Sequence, residues 1–323
     1  MTDTQDIESW LKEHKITEVE CLVPDMTGNA RGKFIPAKKF LKEDSRLPEG
    51  ILAQTVTGEY SDDFWELLDT IDGDMLLEPD AKTKRLVPWA NESTGQIIHD
   101  CFTKDGKPHP FSSRNVLKRV LALYEKDGLK PIIAPEMEFY LVEKNPNPGL
   151  PLKPPIGRSG RPETARQSYS IDAANEFEPF VEGMYGYCEA MNLDIDTLIH
   201  ESGAAQLEVN FIHGEPLDLA DQVFTFKRTV REAALQEDIY ATFMAKPMAD
   251  EPGSATHIHQ SILDATTGRL LYPSDAADDL LCVDLGGRRI LKKKKKKNTH
   301  THTTDSSADP LSLATCFLLL LHT

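Results

Sequence analysis

The sequence predicts an α+β protein built as two domains, and three observations point there. A turn-rich stretch, Asp105-Gly-Lys-Pro-His-Pro, interrupts the 323-residue chain. Before it, short strand-like pieces alternate with loops, and after it long amphipathic helices alternate with strands of period-two polarity. The length also suits two domains, which cluster at roughly 100 to 200 residues each. An apolar share of 40% and a charged share of 27% belong to a globular protein rather than a disordered or fibrous one.

The first domain, residues 1–105, opens with a short helix over Asp6 to Lys15. It continues through strands at Glu18 to Val23, Ile51 to Thr57 and Gln96 to Phe102, a small mixed α+β unit. In the second, residues 106–272, the stretch Ser113 to Lys126 repeats apolar residues at helical spacing. Leu117, Val120, Leu121 and Tyr124 form its inward stripe and Ser113 is its expected N-cap. Further helices are expected over Ala173 to Asn192 and Pro216 to Tyr240. The latter begins on a proline, whose missing N–H has no helical partner to lose at that position.

From Pro273 the character changes. An acidic stretch gives way to six lysines at Lys292 to Lys297, a Thr-His alternation and a Cys316-Phe-Leu-Leu-Leu-Leu run. Residues 273–323 are therefore expected to be an aberrant low-complexity tail, the product of a shifted reading frame or a cloning scar. A solvated interaction tail is the alternative reading of such a lysine run.

The formal net charge of −16 argues against non-specific nucleic-acid binding, which depends on basic side chains neutralising phosphates. Five cysteines lie scattered without a CxxC pair, as expected of reduced thiols in the cytoplasm. The N-terminus carries acid where a secretory signal carries base. The most apolar run, Leu311 to Leu321, is far below the ~20 residues that span a bilayer, so no membrane role is expected.

Three strands carry the chemistry. Residues two apart on a strand face the same way, so Pro131 to Glu143 projects Glu136 and Glu138 from one face and Met137 and Phe139 from the other. Gln206 to Phe211 puts Gln206, Glu208 and Asn210 opposite a packed face of Leu207, Val209 and Phe211. Thr256 to Leu263 gathers His257, His259 and Ser261, and Glu201 lies upstream in His200-Glu-Ser-Gly. If these strands are neighbours, four carboxylates and two imidazoles share one surface. Such a cluster repels itself without cations, and oxygen-rich ligands with some imidazole suit Mg²⁺ or Mn²⁺. The alternative is a sheet that merely alternates polar-out and apolar-in against solvent.

Pro-Glu-Met-Glu-Phe-Tyr at 135–140, His-Glu-Ser-Gly-Ala-Ala-Gln-Leu-Glu at 200–208 and Gly-Ser-Ala-Thr-His-Ile-His-Gln-Ser at 253–261 are similar to three signatures of the glutamine synthetase family, in that family's order. The resemblance extends over residues 1 to about 272. It implies a β-grasp-like N-terminal domain, a catalytic domain with a curved antiparallel sheet left incomplete at its C-terminus, and ring-shaped homo-oligomers with sites between subunits. It also implies an ATP-dependent carbon–nitrogen ligase acting on glutamate and an amine through a γ-glutamyl phosphate.

By the same resemblance, Glu138, Glu201 and Glu208 match the ligands of one divalent metal, and Glu136 and His257 two of three ligands of a second. Asp196, His259 and Ser261 match ATP-contacting positions, and Gly253 a glycine lying along bound glutamate. Pro24 to Pro36, Phe211 to Tyr240 and Ala241 to Gly253 look most like the gamma-glutamylputrescine synthetase branch, which joins glutamate to a polyamine; ammonia is the alternative nucleophile. The loop Pro24 to Lys33 has the wrong glycine spacing for a phosphate loop. Its Asp25 is a candidate acid for the amine pocket, or a turn residue.

The chain departs from the family after Leu271, where the expected arginines and a further glutamate ligand are not recognisable. It is accordingly expected to be a truncated member, inactive as written. A non-catalytic metal- or nucleotide-binding protein on the same scaffold is the competing reading.

Overall fold

The structure is a computed structural model that describes residues 3–42, 44–60 and 73–274. The expected tail lies outside the described residues, apart from its first two positions, which complete a terminal strand.

Two mixed layers result. The chain opens with helix α1 (Asp3–Glu13), which buries Ile7 and Leu11 one turn apart. The first sheet follows in strands β1 (Glu18–Pro24), β2 (Ala30–Pro36), β3 (Ser45–Pro48), β4 (Asp74–Pro79), β5 (Arg85–Leu86) and β6 (Thr94–Phe102), with the one-turn helix α2 (Ala37–Phe40) after β2. Its order is β2-β1-β6-β4-β3, with β5 also on β6, and the central β1–β6 pair is parallel. Both central strands are covered on two sides and buried along almost their whole length, polar positions included. Val19, Cys21 and Ile97 pack under α1 with Ile7 and Leu11. Leu22 and Ile98 face the other way, onto Phe224.

Phe224 belongs to the long helix of the second layer. That layer comprises α3 (Ser113–Lys126), β7 (Leu129–Glu143), α4 (Ile171–Asn175), α5 (Glu178–Ala190), β8 (Ile195–His200), β9 (Gln206–Phe211), α6 (Pro216–Gln236), β10 (Ile239–Thr242), β11 (Thr256–Asp264) and β12 (Leu270–Ser274). Its sheet is antiparallel in the order β12-β11-β7-β9-β8. The 15-residue β7 is long enough to take β11 on its first half and β10 on its second along one edge. Met137, Phe139, Leu207, Val209 and Phe211 line the core beneath it, against Phe180 and Met184 of α5 and Val223, Phe226 and Val230 of α6. Helix α6 is buried on most of its surface because it fills the gap between the layers.

Buried polar contacts fasten the layers. The Arg114 guanidinium donates to Asp80 (2.6 Å), Asp100 (2.5 Å) and Asp221 (2.8 Å), joining the turn just after β4 to β6, α3 and α6. Burial alone would push the arginine pKa down; the three aspartates reverse that and raise it. Arg85 donates to the carbonyls of Met191 (2.8 Å) and Asn192 (3.0 Å), satisfying the open end of α5. Arg228 of α6 pairs with Glu20 of β1 at 2.7 Å.

Four expectations need correction. Ile51 to Thr57 is not a strand: Glu49–Ala53 forms a 3-10 turn and Thr55 to Gly58 a tight reversal, because Val56 is exposed and has no face to bury. The N-cap of α3 is Ser112, whose hydroxyl accepts from the Asn115 amide, and Ser113 is the first helical residue. The helix expected over Ala173 to Asn192 breaks at Phe177 (φ −115, ψ 27), where Pro179 cannot continue the hydrogen-bond ladder. The helix expected to reach Tyr240 stops at Gln236. Asp238 turns left-handed (φ 59), and Ile239 onward recovers its backbone bonds on the free half of β7.

Cys21, Cys101 and Cys188 are buried, unpaired thiols, each pushed up to about 12 by burial.

Two predictions follow from this packing. Replacing Arg114 by Met strands three buried or half-buried aspartates; urea unfolding should show a loss of roughly 3–5 kcal/mol, and a loss under 1 would contradict the role assigned to it. His99 is enclosed in the first layer with its Nδ1 donating to the Ile97 carbonyl, and burial depresses its pKa to about 4. The native state therefore resists a proton that the unfolded chain takes near 6.5. Stability should fall as pH drops from about 6.5 to 4, by up to ~3 kcal/mol. His99→Leu should flatten that slope, and an unchanged pH profile would assign the acid sensitivity elsewhere.

Candidate active site

The upper face of the second sheet brings together what the strand periodicity separates from the core. Register places Glu138 of β7 directly opposite Glu208 of β9, Glu136 opposite Asn210, and His257 of β11 opposite Glu136 on the other side. The three strands are neighbours, so the conditional surface of the sequence reading exists. Glu136, Glu208 and His257 each offer a ligand atom within 4.8 Å of the other two, the one such grouping among the described residues.

Both oxygens of Glu136 face imidazoles: His257 Nδ1 lies 3.3 Å from Oε2 and His259 Nε2 3.0 Å from Oε1. The hydrogen bond from His257, reinforced by His259, holds Glu136 below the usual carboxylate range against the effect of burial. Glu138 is 9% exposed and goes the other way, raised by burial and by Glu201 and Glu136, with the Ala255 amide opposing. Glu208 is raised furthest, to about 7, by burial and then by Glu136, Glu138 and Glu201. Burial and the three neighbouring glutamates together make the ionised form of Glu208 costly on this face.

Neighbouring groups fix these side chains. Gln206 Nε2 donates to Glu138 Oε2 (2.9 Å) and to the Gly253 carbonyl (3.0 Å), while the Ala255 amide donates to the same Glu138 oxygen (3.0 Å). Glu201 follows β8 and accepts from the Ser202 amide at 3.1 Å. His200, just before it, is enclosed. Burial would lower its pKa, but its bond to Glu163 at 2.9 Å raises it.

Asp196 lies with Glu136, Asn210 and His213 around an open hollow of about 450 Å³ beside β7 and β9. His259 joins the acidic face through Glu136, and Ser261 continues the same alternation along β11, opposite Ile132 of β7. Gly253 sits in the loop before β11, where an added Cβ would come within 2.9 Å of the Ala245 carbonyl. The structure thus gathers Glu136, Glu138, Glu201, Glu208, His257 and His259 into one electrostatic unit, with Asp196 at its border.

Asp25 stands apart. It occupies the turn between β1 and β2, fully buried, with Oδ1 accepting from the Thr27 amide (2.9 Å), the Thr27 hydroxyl (2.7 Å) and the Asn29 amide (2.9 Å), and Oδ2 from Arg31 (2.7 Å). Those partners are those of a turn-organising acid. Gly28 (φ 73) closes the turn and a strand follows, so no phosphate loop is present there.

Several contributors escaped the sequence reading. Gln206 and Asn210 were placed on the right face without a role. His213 and Glu251 lie beside recognised motifs, and Glu163 lies in an irregular loop whose sequence has no periodicity to single it out.

The residues fit divalent cations. The donors are carboxylate oxygens with an imidazole, and the Asn210 Oδ1 acceptor on the same face is buried without a partner among the described residues. Hard cations would neutralise the charge that raises Glu208 and Glu138.

Comparison with known proteins agrees. The sequence profile of the glutamine synthetase catalytic domain matches residues 110–282, more than half of the chain. Gamma-glutamylputrescine synthetase PuuA of Escherichia coli K12 is 30% identical over 290 residues, which are 86% of this chain and 60% of that protein. The glutamine synthetase of Mycolicibacterium smegmatis is 32% identical over 209 residues, 63% of this chain and 45% of its own. This chain therefore spans about half the length of the curated relatives it matches, up to the 60% of PuuA. Among solved structures, ligand-free GmaS superposes with a TM-score of 0.66 at 24% identity, over 84% of this chain and 60% of that one. A glutamine synthase homologue gives 0.65 at 20%, over 78% and 56%. These two likenesses bear on the fold alone. Among the described residues no helix is long and apolar enough to cross a membrane. Fold, site and profile converge, and the chain belongs to the glutamine synthetase family of carbon–nitrogen ligases.

Proposed function

We propose that this chain carries the metal- and nucleotide-handling face of an ATP-dependent glutamate–amine ligase. The observation that carries this reading is the convergence of Glu136, Glu208 and His257 within 4.8 Å on a face that also holds Glu138. Glu138, Glu201 and Glu208 are assigned to one divalent cation and Glu136 with His257 to another, with Glu208 within reach of both groups. Bound Mg²⁺ or Mn²⁺ would supply Lewis acidity and a template for the ATP phosphates and the glutamate carboxylate.

The chain's own residues prepare that site. Gln206 and the Ala255 amide hold Glu138 in one orientation, so its carboxylate is positioned before a ligand arrives. The hollow bordered by Asp196 and Glu136 is assigned to the nucleotide, with His259 and Ser261 along its strand. Gly253, which has no room for a side chain, is assigned to the glutamate backbone. The reaction class is phosphoryl transfer from ATP to the γ-carboxylate of glutamate followed by attack of the amine on the acyl phosphate. Asp25 is assigned to its turn rather than to proton removal from the amine.

PuuA, matched over 86% of this chain, supports putrescine or another polyamine as the nucleophile, with ammonia kept as the alternative by glutamine synthetases at 31–32% identity. The two sheets are read as two domains meeting at the turn of residues 103–107, with sites shared between subunits of a cytoplasmic homo-oligomer.

Glu208→Gln should weaken Mn²⁺ binding, followed by electron paramagnetic resonance, by about tenfold or more while the fold persists. Unchanged affinity would remove Glu208 from the ligand set. With glutamate and ATP supplied, phosphate release stimulated by putrescine more than by ammonium would overturn the expectation of an inactive chain and support the polyamine, and the opposite order would support ammonia.

A further inference from the structure

We infer that Glu163 is a positioning residue for the metal face, acting through the loop that carries Glu201 and leads into the strand of Glu208; this rests on the metal reading above. The loop between β8 and β9 reverses the chain within a few residues, and its four successive amides, Ser202 to Ala205, all point to side-chain acceptors. Ser202 donates to Glu201 Oε2 (3.1 Å), Gly203 to Gln206 Oε1 (2.9 Å), Ala204 to Glu251 Oε2 (3.1 Å) and Ala205 to Glu163 Oε2 (2.7 Å). The first two acceptors belong to the loop and to the first residue of β9, and the other two come from outside. Glu163 is a clamp from outside it.

One oxygen of Glu163 does two things. Besides the Ala205 amide it accepts from His200 Nε2 at 2.9 Å, and His200 Nδ1 donates to the Glu201 carbonyl at 2.7 Å. The carboxylate therefore bridges the residue before Glu201 to a residue three before Glu208. Its side chain is 7% exposed and that of His200 is 0% exposed, so water does not compete for either bond. The clamp is also needed. Ala205 sits at φ 57, a left-handed conformation that a non-glycine residue holds only when its surroundings enforce it. Releasing the Ala205 amide would free the loop to relax and shift Glu201 relative to Glu208, which the ladder between β7 and β9 keeps in register.

Glu163 touches none of the ligand groups, so its effect is on where they stand. Outer partners of metal ligands typically contribute 10–100-fold to affinity. The test is Mn²⁺ titration of the full chain by electron paramagnetic resonance, with far-UV circular dichroism and thermal midpoint measured separately in chelator. Glu163→Ala should lower Mn²⁺ affinity by about 10–100-fold. Glu163→Asp withdraws the bridging oxygen by about one bond length, ~1.5 Å, and should also bind distinctly more weakly than the parent. Glu163→Gln keeps an acceptor for the Ala205 amide but removes the charge paired with the doubly donating His200 ring, and should bind more tightly than Asp and more weakly than the parent. A purely structural role would lower the midpoint in chelator in all three without this order in Mn²⁺ affinity. Parent-like binding by a folded Ala or Asp variant, or a Gln variant as weak as Asp, overturns the inference alone. If Ala does not fold, the Asp and Gln pair decides. A parent chain that binds no Mn²⁺ overturns the metal reading and this inference together.

Discussion

The placement of Glu138 opposite Glu208 is the constraint on which the rest of the second sheet turns. Two carboxylates facing each other across neighbouring strands destabilise a sheet, and here Glu136 and Glu201 add to the repulsion. What enforces the pairing is the other side of the same strands. Met137 and Phe139, with Leu207 and Val209, are all 1% exposed or less. A slip of one residue would push those side chains into water and the glutamates into the core. Burial of large apolar groups, each contributing about 1.5–3 kcal/mol, outweighs the like-charge repulsion. The sheet therefore holds carboxylates side by side whose repulsion a proton on Glu208 or a bound cation would relieve.

A face held this way must also be kept from tilting against its surroundings. Helix α6 lies between the layers, giving Val223, Phe226 and Val230 to one core and Phe224 to the other. Arg114 ties the start of α3 to α6 and to the first sheet through three aspartates. Such a buried cluster does not by itself argue for high stability, because desolvation offsets much of the attraction. Its geometry is nevertheless directional: one planar guanidinium can satisfy all three carboxylates only when β6, α6 and the turn just after β4 hold their relative positions.

The strands of the site were legible because period two is a strong signal where one face is apolar. Leu207-x-Val209-x-Phe211 fixed which residues point down, and Gln206, Glu208 and Asn210 had to point up. The family motifs then supplied an order that periodicity alone cannot supply. Less legible was everything decided by tertiary hydrogen bonding. The Thr55 to Gly58 reversal carries β-branched residues that look strand-forming, yet Val56 has nothing to pack against. The end of α6 depends on a vacant half-edge of β7, a partner far away in sequence. Asp25 showed how a carboxylate in a suggestive loop can be fully engaged by its own turn. Glu163, in a segment without pattern, was invisible for the same reason that loops resist prediction: its partners are set by three-dimensional proximity.

Tyr140 shows how closely the site's loops depend on one strand. It follows Glu138 on the same face of β7, and its hydroxyl donates to the Pro252 carbonyl at 2.7 Å, fixing the loop before β11. The same hydroxyl fills the space beside Gly203, where an added Cβ would lie 2.0 Å from it. Glycine is thus required at 203 by a side chain of β7, not by its own backbone angles. Gln206, paired with Tyr140 in the β7–β9 register, contacts both loops through its two amide atoms. The loop bearing Glu201 and the loop bearing Gly253 are therefore built on a Tyr–Gln pair that is itself part of the sheet. A change at either residue would displace Glu201 and Gly253 together. The two halves of the site are coupled because they rest on the same pair of side chains, with no need for a separate path between them.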